Sequence, residues 1–444
     1  MSFFSWLASA IGKLQSAIGN GFRKPNAGSR KPLRFRPQLE ALEDRWLPSA
    51  LTWTVTNNGD SGPGSLRAEI AAASSGDTIQ FASNLGAIRL LSELVINNNL
   101  TIQGPSAPNA PVTISGGLFT RIFEVDGAQT NVALSNLNLI DGGGLAANAA
   151  SAGASNGEGG AIWNGGVLTI TACNLNDNVN SIAYTTDSYG GAIYNAGTLT
   201  VLNCVLDNNS AGPTVRAGGT DFAPFGPGQG GAIYNAGMLT VSNSTLDYNL
   251  VTGFPARGGA IANAYNASAT IANSTLSGNK DALLGGAVYN EGTMTLSGCT
   301  VSGNFAVMSA YNVPPEGGGI YNDGILTILN NTVTGNCPND VYNVGTSLSF
   351  GNIIYNSHKN LYSETVTLTN NTSAALTGPL SLELTNLPKS AVLTDATGTT
   401  SGNPYIRFLN SGKTLKAGGS VSITLTFAAA SLSDIAFGTE VVQL

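Results

Sequence analysis

One motif recurs six times between residues 159 and 336, and it limits the fold more than any other feature of the chain. Its copies open with variants of Gly-Gly-Ala-Ile-Tyr-Asn and begin at Gly159, Gly190, Gly230, Gly258, Gly285 and Gly317. The starts lie 31, 40, 28, 27 and 32 residues apart, whereas the aligned core keeps 20 residues, with two more in the fourth copy. Because the remaining length follows the last Asn of the core, the spacing predicts a solenoid in which each copy is one coil followed by a loop.

Three short runs of alternating apolar and polar residues in each copy predict strands. In the second copy they cover residues 192–194, 199–201 and 205–206. Runs this short do not form helices, so the pattern predicts an all-β chain with a right-handed parallel β-helix of three strands per coil. Equivalent apolar residues would then stack in columns inside the core. The first column is Ile162, Ile193, Ile233, Ile261, Val288 and Ile320, and the second is Leu168, Leu199, Leu239, Ala269, Met294 and Leu326.

Asparagine occupies two positions in all six copies, and we interpret both columns as structural. Stacked amides can hydrogen-bond from coil to coil, and Asn tolerates the left-handed backbone that sharp corners need. The columns are Asn164, Asn195, Asn235, Asn263, Asn290 and Asn322, and Asn178, Asn209, Asn249, Asn279, Asn304 and Asn336. A third position accepts Cys, Ser or Asn, which predicts a small buried slot with free thiols. Its cysteines are Cys173, Cys204 and Cys299.

The chain divides into three parts. Residues 51–360 form the β-helix, and within them residues 64–70 combine a Ser N-cap with an apolar stripe. This predicts a short helix that closes the open end of the core. From about residue 361, strictly alternating runs separated by Gly, Pro and Asn predict a small β-sandwich over residues 361–444. Residues 1–50 are a separate leader.

The leader differs from the rest of the chain in charge. It holds 8 of the 19 Lys and Arg residues and 3 acids, a net +5, whereas the remainder carries −12. Apolar residues three and four positions apart over residues 4–18 predict an amphipathic helix, and a basic stretch follows. We interpret the leader as a targeting segment whose residues 1–20 contact a membrane surface; the alternative is a solvated leader. The acidic remainder argues against a nucleic-acid partner, and without an apolar run of ~18 residues we expect no transmembrane span.

Three segments resemble parts of known bacterial proteins. Residues 39–47, Leu-Glu-Ala-Leu-Glu-Asp-Arg-Trp-Leu, resemble the N-terminal LEALEDR segment of planctomycete-type exported proteins. Residues 64–81, with the GGAIYN copies that follow, resemble bacterial extracellular β-helix proteins that share repeats with chlamydial polymorphic outer-membrane proteins. Residues 366–388 resemble immunoglobulin-like modules of bacterial surface proteins. These resemblances imply a secreted or cell-surface protein that is adhesive or structural and not an enzyme.

β-Helices also carry enzymes that act on polysaccharides, and such sites need clustered carboxylates, often with calcium and a nearby base. The best carboxylate pair here is Asp207 and Asp247, which hold matching positions in consecutive coils and so lie ~5 Å apart. A carbohydrate-active enzyme, either a polysaccharide lyase or a glycoside hydrolase, is therefore the alternative function. Other copies place Asn, Ser or Thr at this position, as turn residues do. We expect no metal site and no cofactor.

Two surfaces are candidates for binding a glycan or a protein at the cell surface or in the matrix. The first is the column one residue past the inward Ile, where alternation predicts an exposed ladder of aromatic rings that includes Tyr194 and Tyr234. The second is the loop edge, where all the insertions follow the same Asn. Its candidates are Arg216, Phe222, Phe225, Phe254 and Arg257. The alternatives are that the rings stack for structural reasons alone and that the loops have no function.

Overall fold

Short strands stacked in parallel make up most of the computed structural model of the chain. It describes residues 50–442 apart from 107–110, 145–156, 182–186, 213–225, 282, 308–312, 373, 386, 401 and 436. The alternating runs become strands because each coil buries one side of the strand and leaves the other outside, where β-branched residues fit well. The predicted all-β chain is confirmed, and its architecture is a parallel β-helix.

Three long sheets form the walls of the β-helix, and each coil visits them in the order II, I, III. The parallel part of sheet I is Thr52–Val55, Thr78–Phe81, Leu100–Gln103, Asn131–Ser135, Val167–Thr171, Thr198–Leu202, Met238–Ser242, Ser268–Ala272, Thr293–Ser297, Ile325–Leu329 and Thr346–Phe350. Sheet II is Leu94–Ile96, Phe123–Val125, Ile162–Asn164, Ile193–Asn195, Ile233–Asn235, Ile261–Asn263, Val288–Asn290, Ile320–Asn322 and Val341–Asn343. Sheet III is Ile88–Arg89, Val112–Ser115, Leu137–Ile140, Asn174–Asn176, Val205–Asp207, Thr245–Asp247, Thr275–Ser277, Thr300–Ser302 and Thr332–Thr334.

Equivalent residues of successive copies pair in register, as the alignment of the repeats predicted. Ile193 pairs with Ile233 in sheet II, and Leu199 pairs with Leu239 in sheet I. Both apolar columns are buried along their whole length. Each fully buried aliphatic side chain stabilises the fold by about 1.5–3 kcal/mol, so these columns are the main source of cohesion between coils.

The repeat coils add a short fourth ladder directly after sheet III. Its strands are Val179–Asn180, Ser210–Ala211, Leu250–Val251, Lys280–Asp281 and Phe305–Ala306. The projecting loops were predicted to begin at these residues. Because the residues form strands instead, the loops leave the coil two residues later than predicted. They return through a row of isolated bridges that includes Gln229, Arg257 and Leu284. One pair of loops also forms a two-stranded sheet from Ser188–Tyr189 and Gly228–Gln229.

Helix α1, Leu66–Ala72, covers the N-terminal end of the core. The Ala68 amide donates to the Ser65 hydroxyl at 3.3 Å, so Ser65 is the predicted N-cap. Leu66 and Ile70 are buried in the cluster that fills the β-helix. The predicted cap helix is thus confirmed.

Among the described residues no helix is long and apolar enough to cross a membrane.

Both asparagine columns are continuous ladders of buried amides. In the first ladder each Nδ2 donates to Oδ1 of the next Asn at 2.6–2.8 Å, from Asn164 to Asn322. In the second ladder the same bonds measure 2.8–3.0 Å, and the last amide, of Asn336, donates to Asp340 at 2.9 Å. Each also donates to a backbone carbonyl one coil back, as Asn249 does to Leu206 at 3.0 Å. The predicted structural role is confirmed.

The predicted left-handed backbone of these asparagines is wrong. In the second ladder the positive φ lies one residue earlier, at Asn208 (54°), Tyr248 (54°) and Gly278 (62°) among others. The preceding residue makes the corner, and this leaves the ladder residue free to direct its amide along the solenoid axis. The coil-to-coil hydrogen bonds, and not backbone strain, are therefore the reason for Asn at these positions.

The small slot holds free thiols, and they are buried at all three copies that carry Cys. The Cys173 amide donates to Cys204 Sγ at 3.4 Å, and the Cys204 amide donates to the hydroxyl of Ser244 at 3.1 Å. Cys and Ser therefore have the same role at this position, because each accepts a hydrogen bond from the backbone amide of the preceding coil. Burial raises the pKa of Cys173 to about 12, so this thiol stays protonated.

The C-terminal strands continue sheet I in the antiparallel sense. Leu361–Asn370 pairs with both Thr346–Phe350 and Ile354–Asn356, and Ser420–Ala429 and Ala391–Leu393 follow. The other strands form a four-stranded sheet, Gly398–Thr400, Asn403–Leu409, Leu380–Thr385 and Gly438–Val442, and a pair, Leu376–Thr377 and Thr414–Leu415, with a 3₁₀ turn at Leu432–Asp434. The alternating strands are present as predicted, with an apolar cluster of their own. The sandwich itself stays a prediction.

Candidate binding groove

The corner between sheet II and sheet I changes character along the repeats. Directly after the first-ladder Asn, the first four copies have Gly165, Ala196, Ala236 and Ala264. The fifth and sixth copies instead have Glu291 and Asp323. The two residues added in the fourth copy fall in the same turn, where Tyr265 is 76% exposed. Three departures from the repeat pattern therefore meet at one corner.

This corner forms one wall of a groove, and the C-terminal strands form the other. The groove has a volume of about 470 Å³ and is lined on the corner side by Tyr265, Glu291 and Asp323. Leu368 and Leu380 line it from the C-terminal strands. A volume of this size lies within the range typical of small-ligand sites. We call it the corner groove.

Glu291 is held in place by two donors on the outer face of sheet II. Its Oε1 accepts the Tyr289 hydroxyl at 2.6 Å and Arg257 Nη1 at 3.3 Å. The Arg257 guanidinium also lies over the Tyr289 ring, 4.9 Å from its centroid. Arg257 therefore neutralises one of the two carboxylates of the corner and fixes its orientation.

Asp323 is not neutralised in this way. Its side chain is exposed at the groove and accepts no hydrogen bond from the residues that the structure describes. Partial burial raises its pKa above the usual value, and the negative charge of Glu291 raises it further, whereas Arg257 acts in the opposite direction. A cationic group or a hydroxyl in the groove would relieve this repulsion.

The aromatic ladder is present, but the prediction that it is exposed is wrong. Tyr194 and Tyr234 stack with centroids 5.4 Å apart and an interplanar angle of 13°, and both are half-buried. Tyr189, from the loop before the second copy, lies against the Tyr234 ring at 4.6 Å. Tyr289, which stands in the same column in the fifth copy, is only 3% exposed. Neighbouring side chains cover the rings, which alternation within one strand could not show.

The structure describes only two of the five loop-edge candidates. Arg216, Phe222 and Phe225 lie outside the described residues. Phe254 is half-buried, and Arg257 belongs to the row of bridges and reaches across sheet II to Glu291. Arg257 is thus placed beside the corner groove and not on a projecting loop.

Asp207 and Asp247 are paired in register on sheet III, as their matching positions predicted. Asp247 Oδ1 accepts both the amide and the hydroxyl of Ser277, at 2.9 and 2.7 Å, so it holds two coils together. Burial raises the pKa of Asp207, and the charge of Asp247 adds to the effect. No ion pair joins either carboxylate to a base among the described residues.

Comparison with known protein families, with curated proteins and with solved structures gives no match for this chain.

The corner groove was missed by the sequence reasoning, although its signal was present. The change from Ala to Glu291 and Asp323 after the ladder Asn, and the two residues added beside Tyr265, were visible in the alignment of the copies. What the alignment could not show is that strands from beyond residue 360 return to this corner and enclose it.

Proposed function

We propose that this chain is an exported bacterial cell-surface protein with an adhesive or structural function and without catalytic activity. The observation that carries the proposal is the pair of buried asparagine ladders, which run without a break through six coils. Such ladders make a rigid rod, because each coil is bonded to the next by side chains as well as by backbone.

The dimensions and the polar groups support this proposal. The eleven parallel strands of sheet I span about 50 Å at ~4.8 Å per coil. Of the best carboxylate pair, Asp247 is occupied by a bond between coils, to the hydroxyl of Ser277. A rigid rod of this kind suits the display of a binding surface away from a cell.

The proposal includes the leader and the partner. Residues 1–50 carry the basic charge and the LEALEDR-like segment, and we propose that they direct export, with residues 1–20 contacting a membrane surface. The partner is a glycan or a protein at the cell surface or in the matrix, met at the loop edge.

Locating the protein in cells tests the proposal directly. The full chain and a variant lacking residues 1–50 are expressed in a planctomycete host, and surface, medium and cytoplasmic fractions are probed with an antibody. We expect the full chain outside the cytoplasm and the shortened chain inside it. A full chain that stays in the cytoplasm would contradict the proposal.

An attachment assay tests the loop edge. Replacing both Phe225 and Phe254 with Ala is expected to weaken attachment to cells or matrix without changing the melting temperature, because buried aromatic anchors carry much of an interface's energy. Replacing Tyr194 and Tyr234 is the comparison. Attachment lost only in the tyrosine variant would move the site to the aromatic ladder.

One observation favours the alternative, a carbohydrate-active enzyme. Asp207 has a pKa that is raised by burial and by the charge of Asp247, and a carboxyl group with a raised pKa can act as the acid in glycoside hydrolases. Incubation with a panel of neutral and acidic polysaccharides, with and without calcium, decides between the two. Sugar release that Asp207→Asn abolishes would establish the enzyme and end the non-catalytic proposal.

A further inference from the structure

We propose that the corner groove binds an amino-sugar unit of an oligosaccharide, with its ammonium group between Glu291 and Asp323. The proposed adhesive function places its partner at the loop edge, and this inference adds a second binding site that has a ligand class of its own. It rests on the proposed function for its biological setting. It combines a concave site, an unbalanced charge and three departures from the repeat that meet there.

The charge of the groove selects a cation. Glu291 and Asp323 follow ladder residues that pair across one coil step, so their Cα atoms are about 5 Å apart. Arg257 lies against Glu291 and is engaged by the Tyr289 ring, which leaves Asp323 without a donor. An ammonium group would interact with both carboxylates and replace their repulsion with attraction. Uronic acids and sulfated sugars would be repelled.

The remaining lining fits a sugar ring. Tyr265 presents an exposed ring at the groove, and aromatic rings stack against the apolar faces of pyranoses. Hydroxyl side chains line the wall that the coils form, at Thr293 and Thr346. Such groups exchange hydrogen bonds with several sugar hydroxyls at once. A lysine side chain also carries an ammonium group on an apolar stem, but it has no hydroxyls to match them.

The groove is a feature of the last coils alone among the repeats. In the first four copies the position after the ladder Asn carries no charge, since it is Gly or Ala. The coils that have acidic residues there are the ones that the C-terminal strands approach at Leu368 and Leu380. The charge therefore appears where a ligand can be enclosed.

Calorimetric titration of the full chain tests the proposal. The probes are a β-1,4-linked glucosamine tetramer, its fully N-acetylated form and tetralysine, all at pH 6.5 and low salt. We expect the glucosamine tetramer to bind at least tenfold more tightly than the acetylated form, because acetylation removes the charge and leaves the ring intact.

Two variants and two matched controls locate the binding. Asp323→Asn and Tyr265→Ala should each weaken binding of the glucosamine tetramer about tenfold or more. Asp126→Asn is the charge control, because Asp126 follows Val125, which occupies the ladder position of an earlier coil. Tyr355→Ala is the aromatic control, since Tyr355 is 49% exposed and lies outside the groove. Both controls should bind as the unaltered chain does, and all four variants should keep its melting temperature.

Three results would overturn the inference. They are equal affinity for the acetylated and free tetramers, unchanged affinity after Asp323→Asn, and tighter binding of tetralysine, which would indicate a peptide site. The titration uses purified protein, so a cytoplasmic location would contradict the proposed function without altering these results.

Discussion

The N-terminal coils and the repeat coils satisfy their buried polar groups in opposite ways. The repeat coils use neutral amides, as in the bond of 2.7 Å from Asn235 to Asn263. The N-terminal coils use charges: Arg121 is fully buried, and its Nη1 lies 2.8 Å from Glu93 Oε2. An amide ladder is the same at every pH, whereas a buried ion cluster depends on protonation and loses much of its Coulomb energy to desolvation. The two ends of one solenoid should therefore respond differently to mutation and to pH.

Glu124 adds a second buried carboxyl group to the contrast between the N-terminal coils and the repeat coils. It pairs in register with Trp163, so it stands in the column that becomes aromatic in the repeats. Both of its carboxylate oxygens are buried without a hydrogen-bond partner. Burial and the charge of Glu93 raise its pKa to about 7, although Arg121 lowers it. The N-terminal coils thus hold a carboxyl group that changes its charge near neutral pH.

The largest effect should come from a charge in the apolar column of the repeat coils. Ile233→Asp is expected to cost more than about 5 kcal/mol and to unfold the solenoid, because no partner compensates the buried carboxylate. Met238→Asp in the same coil is the control, since Met238 is 60% exposed and should cost little. Circular dichroism during heating measures both. Equal melting of the two variants would show that inside and outside had been confused.

Removing the cation of the N-terminal cluster comes next. Arg121→Met should cost about 3–5 kcal/mol, because it leaves Glu93 buried without its partner. Adding Glu93→Gln should recover part of the loss. Arg89→Met is the control, as Arg89 is exposed in sheet III. Urea unfolding gives the free energies, and no recovery in the double variant would contradict the pairing.

Breaking one rung of an amide ladder should cost somewhat less. Asn249→Ala removes the donors to Leu206 and Asn279 and the acceptor of Asn209, at an expected cost of about 2–4 kcal/mol that does not vary with pH. The exposed Asn58 gives the control, Asn58→Ala, which should change stability by less than about 0.5 kcal/mol. A marked pH dependence of the Asn249→Ala effect would weaken the contrast between the two regions.

The smallest effect is the pH dependence of the N-terminal coils. Glu124 has a folded-state pKa of about 7 against a reference of 4.5, so the folded state holds the proton more tightly. Its contribution is complete below about pH 4.5 and is lost as the pH rises through about 7. Glu124→Gln should therefore gain about 2–3 kcal/mol relative to the unaltered chain between pH 5 and pH 8.

Hydrogen exchange locates that effect. We expect the amides of residues 88–140 to lose protection as the pH rises, and Glu124→Gln to prevent this. Glu364 in the C-terminal strands also has a pKa raised by burial to about 7, so Glu364→Gln should act only on those strands. If both variants changed protection throughout the solenoid, its coils would respond as one unit and the regional contrast would fail.

The elements of the repeat were readable from the sequence because each coil has the same neighbours above and below. A residue that recurs at one position, such as Ile193, must pack in the same way every time, and its periodicity reports that environment. The same reasoning found Ser65 as a cap and the amide ladders. It failed on the left-handed corners, because position in the repeat does not say which of two adjacent residues makes the turn.

What only the tertiary structure decided lies where the repeat is broken. Tyr189 covers Tyr234, Arg257 reaches to Glu291, and Arg121 meets Glu93. These contacts join residues from different loops and coils that no shared period relates. The sequence by itself determined the solenoid, its core and its ladders, because they depend on stacking at a fixed spacing. The corner groove and the buried ion cluster depend on single long-range approaches, and these exist only once the coils and the C-terminal strands are in place.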